Sequence, residues 1–344
     1  MTLLNLTCNV CPLILVVLSL QKECSLAWMH KIVPKRHAKQ TSRRRQSILL
    51  SQQHQQIPFD GIRLFCDSSS ENPSTIPILL ETDTLLVIEK PVGISHANSD
   101  DELGILNLVR QQQQRQTGGT EYTGRIYGVH RLDRVTSGIL VLAKDAATAS
   151  YLAAAFRNGL VTKYYTGVSR HKATTKKQGW VTGDMVRGRR KSWQLIRNNA
   201  SGGNIGTRSN YAKTRFFTAG LGGLTDCLAD KHQEMQPKTL LLFRPITGRT
   251  HQLRVAAKSV GLPLAGDPTY SDGYPNESAQ RTYLHATGFH LPAADGREAV
   301  TVWSPPPFHH LWSETARGDF EAILDKLVLK HCDCCPILET IDSL

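Results

Sequence analysis

The order of apolar and polar positions predicts a domain in which strands outnumber helices. Apolar runs predict strands at residues 84–89, 138–143, 163–168, 214–217 and 239–243. Helical spacing of apolar residues predicts helices at 145–156, 250–259 and 314–329, with Asp145 as a candidate N-cap of the first. Stretches rich in Gln, Gly, Asn, Ser or Thr predict loops at 111–114, 117–120 and 198–210. The segment 220–237 is long for a hairpin and is predicted to be an elaborated loop, and 261–267 is predicted to be a loop as well.

Strands that are interrupted by single helices and long loops indicate an α+β domain built on a mixed sheet. A polar linker at residues 68–74 separates this domain from the N-terminal part of the chain. We therefore divide the 344 residues into a leader at 1–59, a linker at 60–75, a catalytic domain at 76–310, and a C-terminal helix and tail at 311–344.

Residues 1–59 have the composition of a targeting segment. An apolar run at 13–20 is too short to span a bilayer, and the small residues Ser25 and Ala27 follow it. No acid occurs between Glu23 and Asp60, whereas basic residues are frequent. This order is typical of a signal peptide joined to a transit peptide, and it resembles the bipartite plastid leaders of algae with secondary plastids. A mitochondrial presequence and an untargeted disordered tail, which would leave the protein in the cytoplasm, are the alternatives. We expect no membrane association of the mature form.

Charge is concentrated in this leader. It holds eight Lys and Arg against one acid, or +7 of the total +12, so the rest of the chain carries +5. The body is therefore mildly basic, which is compatible with a polyanionic partner but does not require one.

Cysteine spacing does not indicate a disulfide framework or a metal site. Of the eight cysteines, three lie in the leader, two are isolated, and Cys332, Cys334 and Cys335 are crowded more closely than zinc ligands usually are. His130, His251 and His285 match no common zinc spacing either, so we expect no metal.

The most informative chemistry lies at residues 130–138, His-Arg-Leu-Asp-Arg-Val-Thr-Ser-Gly, directly before the apolar run 139–143. Asp133 lies between Arg131 and Arg134 on a turn that opens into a buried strand. Neighbouring cations favour the charged form of a carboxyl group, so Asp133 is a candidate nucleophile rather than a proton donor. A helix cap or a structural salt bridge is the alternative role.

These residues resemble the catalytic loop of the RluA-type RNA pseudouridine synthases, HRLDxxTSG. Four further segments resemble that family in the same order, over about residues 78–308. They are the opening strand with its KPxG turn at 81–96, Lys-Tyr-Tyr at 163–165, Pro-Ile-Thr-Gly-Arg-Thr-His-Gln-Leu-Arg at 245–254 with Gly-Asp at 266–267, and Leu-His-Ala at 284–286. The resemblance implies a mixed, mainly antiparallel sheet with flanking helices and the conversion of uridine in RNA to pseudouridine.

The resemblance also implies roles for individual residues. Asp133 would be the catalytic carboxylate, Arg254 its ion-pair partner, and Tyr165 the ring that stacks on uracil and assists removal of the C5 proton. Arg131 would fill the space left by a flipped-out uridine, and we place His130, Lys163 and Arg249 among the substrate-binding residues. Extracting a buried uridine costs a few kcal/mol, part of which stacking on Tyr165 returns.

Plain structural roles remain open for several of these residues. Tyr165 is alternatively an ordinary half-buried strand residue, and Lys163 a contact at the sheet edge or to phosphate. The basic run 187–191 beside Trp193 is either an RNA-backbone contact or a solvated loop. One departure from the family is that Arg254-Val255 is followed by Ala256, where the family usually has histidine.

The resemblance implies an RNA pseudouridine synthase that acts on tRNA or a short rRNA stem-loop without a cofactor, and we expect a monomer. The alternative is a catalytically silent RNA-binding or RNA-folding protein on the same scaffold. A phosphotransferase is excluded, because Asp does not directly follow His130-Arg131 and no Asp-Phe-Gly element is present.

Overall fold

The computed structural model describes residues 75–98, 102–116, 125–173, 177–189, 192–196, 210–222, 224, 237–271, 281–308, 311 and 314–332. The leader at 1–59, most of the linker and the cysteines other than Cys332 lie outside these residues. So do 117–120, most of the predicted loops 198–210 and 220–237, and Arg190 and Lys191. Among the described residues, no helix is both long enough and apolar enough to cross a membrane.

Eleven strands and four helices follow one another along the described chain. In order they are β1 (Ile78–Glu81), β2 (Leu85–Lys90), α1 (Ile105–Gln116), β3 (Tyr127–Gly128), β4 (Ser137–Ala143), α2 (Ala146–Arg157), β5 (Thr162–Ser169), β6 (Gln178–Arg187), β7 (Trp193–Ile196), β8 (Tyr211–Gly220), β9 (Thr239–Pro245), α3 (Gln252–Ser259), β10 (Leu284–Leu291), β11 (Val300–Trp303) and α4 (Glu314–His331).

All strands belong to one sheet in the order β1-β2-β4-β10-β5-β9-β8-β6-β7, with β11 paired to β10 and β3 to β4. Only β4 and β10 run parallel, and the other pairs are antiparallel. The predicted α+β class, with a mixed and mainly antiparallel sheet, is confirmed.

Every residue of β4 is buried, which explains the uninterrupted apolar run of this central strand. Gly138 has a φ of 112°, and a Cβ there would clash with the backbone of Ala286. Glycine is therefore required where β4 and β10 meet, immediately after the turn that carries Asp133.

Asp145 caps α2 as predicted, since its carboxylate accepts a hydrogen bond of 2.8 Å from the backbone N–H of Thr148. The loop predicted at 111–114 is wrong, because these glutamines lie in α1. Gln113 is buried, and the amide of Gln112 exchanges hydrogen bonds of 2.6 and 2.8 Å with the backbone of Ile76. Polar side chains thus form part of the inner surface of this helix.

The two faces of the sheet carry different helices. On one face, which we call the front, α3 packs on Phe216, Phe243 and Leu241. On the other, the back, α4 packs on Tyr164, Phe217 and Leu242. Tyr164 and Tyr165 are neighbours on β5 and project to opposite faces, because side chains alternate along a strand.

Candidate active site

The turn that carries Asp133 is fixed to β2 by its backbone. The carbonyl of Arg134 accepts a hydrogen bond of 2.8 Å from the N–H of Gly93, and Thr136 N–H closes the turn on the carbonyl of Asp133. Lys90 is fully buried, and its ammonium donates to the carbonyl of Pro91 at 2.7 Å. These contacts set the position of Asp133 at the entrance to β4.

Lys90 had not been singled out from the sequence. Burial lowers its pKa to about 8, and the charge of Asp133 opposes that shift. A buried lysine so close to the carboxylate adds positive potential beneath the turn.

Arg254 links the turn to α3. Its Nη1 lies 3.4 Å from Oδ2 of Asp133, whereas Nε and Nη2 each donate a hydrogen bond of 2.7 Å to Asp267. Nη2 also lies 3.1 Å from the hydroxyl of Thr269, and the side chain is only 4% exposed. Arg254 is thereby held so that it presents one remaining N–H edge to Asp133.

Asp267 is fully buried and holds two backbone donors as well. Its Oδ1 accepts hydrogen bonds from the N–H groups of Thr269 and Tyr270 at 2.8 and 3.1 Å. Burial opposes the charge on Arg254, but the hydrogen bonds and charge of Asp267 outweigh burial and raise the pKa of Arg254. The guanidinium therefore keeps its charge beside Asp133.

His251 forms the other wall beside Asp133. It adopts a left-handed backbone conformation, with φ of 58°, at the start of α3. Its Nε2 lies 4.0 Å from Oδ2 of Asp133, and its Nδ1 lies 2.8 Å from the hydroxyl of Tyr270. Burial, then the charge of Arg254, lowers the pKa of His251.

A neutral His251 fits these contacts as the tautomer that keeps its proton on Nε2. The hydroxyl of Tyr270 accepts a hydrogen bond from the backbone N–H of Trp193 at 2.8 Å, which leaves its proton for Nδ1. Nε2–H then faces the carboxylate of Asp133.

Tyr165 faces the front of the sheet, next to Phe243 on β9 and Ala286 on β10. Burial, and secondly the charge of Asp133, raises the pKa of its phenol well above the ordinary value. The hydroxyl is therefore neutral near neutral pH, and Tyr165 presents an aromatic ring with a protonated oxygen.

Arg131 and Arg249 are exposed beside this cluster. Arg131 donates a hydrogen bond of 2.7 Å to the hydroxyl of Thr250, and Arg249 donates one of 3.0 Å to the carbonyl of Tyr211. Both belong to the rim around Asp133, where the predicted substrate contacts are expected.

His130 and Lys163 lie elsewhere. Nε2 of His130 accepts a hydrogen bond of 2.9 Å from the N–H of Val141, and the ring stacks on Phe156 with 4.6 Å between centroids. The ammonium of Lys163 lies 5.4 Å from the centre of the same phenyl ring. Both belong to the packing of α2 against the sheet, so this geometry does not support the predicted contact of His130 with substrate.

A buried chain of hydrogen bonds runs under β4 from Ser137 to Glu89. The hydroxyl of Ser137 lies 2.9 Å from Nδ1 of His285, whose Nε2 lies 3.2 Å from the hydroxyl of Ser304. Ser304 in turn donates to Glu89 at 2.9 Å. Burial lowers the pKa of His285 to about 3, so this histidine is a neutral structural link.

No three His, Cys, Asp or Glu side chains of the described chain come together in a way that could hold a metal ion. The three predicted catalytic residues do converge: Asp133 meets Arg254, and its charge acts on Tyr165. Sequence reasoning missed four members of the site: Asp267, His251, Lys90 and Tyr270. The first three stand within the motifs given above.

Comparison with known proteins agrees with this geometry. The family model described as RNA pseudouridylate synthase matches residues 84–259, which include Asp133, Tyr165 and Arg254. The chain belongs to this family. It is an RNA pseudouridine synthase, and the resemblance to the RluA type and the expected enzyme class are confirmed.

Several bacterial relatives have similar sequences. An uncharacterized RNA pseudouridine synthase of Haemophilus influenzae is 35% identical over 62% of this chain and 80% of its own length. Another from Bacillus subtilis, YhcT, is 34% identical over 66% of this chain and 69% of its own length. Ribosomal large subunit pseudouridine synthase C of Vibrio parahaemolyticus is 30% identical over 66% of this chain and 65% of its own length.

Among solved structures, human RNA pseudouridylate synthase domain containing 4 superimposes with a TM-score of 0.51. It is 24% identical and the match covers 68% of this chain and 92% of that chain. This likeness supports the fold assigned above.

Proposed function

We propose that the synthase isomerises specific uridines of tRNA or rRNA, with Asp133 as the catalytic carboxylate acting on a flipped-out base. The observation that carries this proposal is the 3.4 Å contact between Asp133 and an Arg254 that Asp267 fixes from behind. Although Arg254 and His251 both face it, the carboxylate of Asp133 keeps a side-chain exposure of 23% and remains able to reach a substrate.

Each neighbouring group contributes one property. Arg254 aims Asp133, because a guanidinium fixed by its hydrogen bonds to Asp267 offers a single direction of approach. Nε2–H of His251 faces the carboxylate of Asp133 on a second side and restricts its movement there. Tyr165 offers its ring to the uracil, and its neutral hydroxyl contributes a polar edge without a second negative charge beside Asp133.

The reaction needs no external reactant. The carboxylate attacks the ribose or the uracil ring, or takes a proton from the sugar. The bond between N1 of the base and the ribose breaks, the base turns, C5 joins the ribose, and the C5 proton moves to N1. Arg131, which is exposed on the turn that carries Asp133, fills the space that the uridine leaves in its helix.

For the RNA class, the names of several relatives support rRNA. Relatives in Vibrio, Nitrosomonas and Rickettsia are ribosomal large subunit pseudouridine synthases C or D. We propose rRNA as the first substrate to test and tRNA as the second. We further propose that the leader directs the protein to a plastid or mitochondrion, and that one chain acts alone, since Asp133, Arg254 and Tyr165 come from a single chain.

The test uses RNA from cells that lack the protein, divided into organellar and cytosolic pools. Wild type, Asp133→Asn and the exposed control Asp83→Asn are added in excess, and pseudouridine is mapped over a single turnover. We expect new pseudouridines with wild type and the control, and none with Asp133→Asn, which still binds RNA. Asp133→Asn turnover within about tenfold of wild type, a barrier change of only ~1.4 kcal/mol, would refute the role of Asp133. Binding without turnover by wild type would favour the silent RNA-binding protein.

A further inference from the structure

A tryptophan with two cations lies on the back of the sheet, away from Asp133. The register of β6, β8 and β9 places Trp180 beside Arg215, and Arg215 beside Arg244. The ammonium of Lys213 lies 4.6 Å and the guanidinium carbon of Arg215 lies 5.3 Å from the centre of a Trp180 ring. We call Trp180, Lys213 and Arg215 the back-face platform.

The platform is open to solvent although the cations contact the indole. Trp180 remains 49% exposed. Ile196 on β7 and Ile246 after β9 are also exposed, by 48% and 44%. Three of the five exposed large apolar side chains of the described chain thus lie at this end of the sheet, where α4 does not cover it. Such a concentration of apolar surface is typical of an interaction site.

The strands of this region carry a net positive charge. Strands β6 to β9 contain Arg187, Lys213, Arg215 and Arg244 but a single acid, Asp184. Asp184 is buried with 8% exposure, so it presents little negative charge to a partner. An aromatic ring flanked by cations matches a nucleic-acid strand, whose bases stack on rings while its phosphates pair with Lys and Arg.

A short loop connects this platform to the catalytic cluster. Residues 246–250 join β9 to α3, and Ile246 N–H donates to the carbonyl of Lys213 at 2.9 Å. The hydroxyl of Thr247 accepts from the N–H of Lys213, also at 2.9 Å. At the other end of the loop, Arg249 and Thr250 adjoin Arg131. The exposed Arg131 and Arg249 are therefore followed by the half-buried Lys213 and Arg215, around the end of the sheet.

We propose that the back-face platform binds a single-stranded segment of the same RNA whose uridine occupies the site at Asp133. One base stacks on Trp180, and adjacent phosphates pair with Lys213 and Arg215. This inference rests on the proposed function, because it takes the partner to be the substrate RNA. The loop at 246–250 is the path by which that strand passes from the front of the sheet to the back.

Binding of a fluorescein-labelled 20-nucleotide oligouridylate to the full chain tests the proposal. We expect Trp180→Ala to weaken binding about 5- to 150-fold, the equivalent of ~1–3 kcal/mol for one stacked base. Lys213→Ala combined with Arg215→Ala should lower the slope of log affinity against log salt by ~1.4, since each phosphate contact on a single strand contributes ~0.7. Arg297→Ala is the control, because Arg297 also lies over a ring, 4.7 Å from that of Tyr151, but far along the chain from the platform.

A second readout separates stacking from loss of folding. Unlabelled oligouridylate should quench part of the tryptophan emission of wild type. Trp180→Phe should keep most of the affinity and lose that part of the quenching, because a phenyl ring also stacks. If the Trp180→Ala and double variants bind like Arg297→Ala, or if Trp180→Phe is quenched like wild type, the platform does not bind RNA. These binding measurements require no turnover, so their failure is distinct from an inactive wild type, which would overturn the proposed function instead.

Discussion

Asp267 holds Arg254 through two hydrogen bonds of 2.7 Å, and both side chains are almost completely buried. The pair lies behind Asp133, so the charge next to the proposed catalytic carboxylate is fixed by an acid that is fully buried. Asp267 is thus a positioning residue, whose effect on the reaction passes through Arg254.

Replacing Asp267 with Asn should destabilise the protein and disturb Asp133. Removing one partner of a buried ion pair leaves an uncompensated charge, and we expect a loss of ~3–5 kcal/mol in the free energy of unfolding. Thr269→Val, which removes only one hydrogen bond to Arg254, should cost ~1 kcal/mol. Denaturant titration of both variants measures the difference. An Asp267→Asn variant as stable as Thr269→Val would contradict this account of the pair.

The Tyr165 ring and hydroxyl can be separated by two substitutions. Tyr165→Leu removes the stacking surface and should weaken productive RNA binding by ~1–3 kcal/mol. Tyr165→Phe keeps the ring, so binding should stay near wild type. If the hydroxyl assists removal of the C5 proton, the reaction of the Tyr165→Phe variant should stall after the new carbon–carbon bond has formed. RNA affinity and single-turnover rate are measured on both, and wild-type values throughout would leave Tyr165 as a structural strand residue.

The buried histidines predict a specific loss of stability in acid. Burial lowers the pKa of His130 and of His285 to about 3, from an ordinary value of 6.5. Between these values the unfolded chain binds protons that the folded chain does not, so stability decreases as the pH falls from 6.5 towards 3. Over this range, each histidine should lower the free energy of unfolding by ~1.4 kcal/mol for each pH unit of acidification.

Unfolding titrations between pH 6 and pH 4 test this. His285→Gln should reduce the slope of stability against pH by the contribution of one histidine, whatever its stability at pH 7. Equal slopes for wild type and His285→Gln would show that this imidazole is protonated in the folded state.

Removal of residues 1–59 should change location and leave chemistry intact. These residues carry +7 of the charge and none of the site residues described above. A protein that begins at residue 60 should fold and form pseudouridine in vitro like the full chain. Fluorescent fusions of both forms in the native cell check the location, and identical distributions would refute the targeting interpretation.

The sequence predicted the elements whose signals are local. β4 is buried on both faces and reads as an unbroken apolar run, and α2 begins at a residue that caps it. The helix α1 was missed because its inner surface is partly glutamine. β6 and β7 were missed because glycine, tryptophan and aspartate interrupt β6, and their pairing with β8 depends on contacts between distant segments.

Prediction of the site was limited in the same way, because its contacts join segments that are distant in the sequence. Asp133 and Arg254 are 121 residues apart, and only the resemblance to a family indicated that they pair. Asp267 was part of a quoted motif, yet nothing in its neighbours shows that it binds Arg254. His130 was predicted to bind the substrate. Its ring instead accepts a hydrogen bond from the backbone of β4. Adjacency along the chain did not indicate which way the side chain points.

Adjacent tyrosines on β5 have opposite surroundings: Tyr165 faces the catalytic cluster, while Tyr164 lies under α4, with its hydroxyl 3.4 Å from the carbonyl of His331. One strand thus contributes a residue to the candidate active site on one face of the sheet and supports the C-terminal helix on the other. Displacement of α4 from the back of the sheet would alter the packing of Tyr164 and, one residue along the backbone, the support of Tyr165. The seating of α4 and the position of the Tyr165 ring therefore depend on two successive residues of β5.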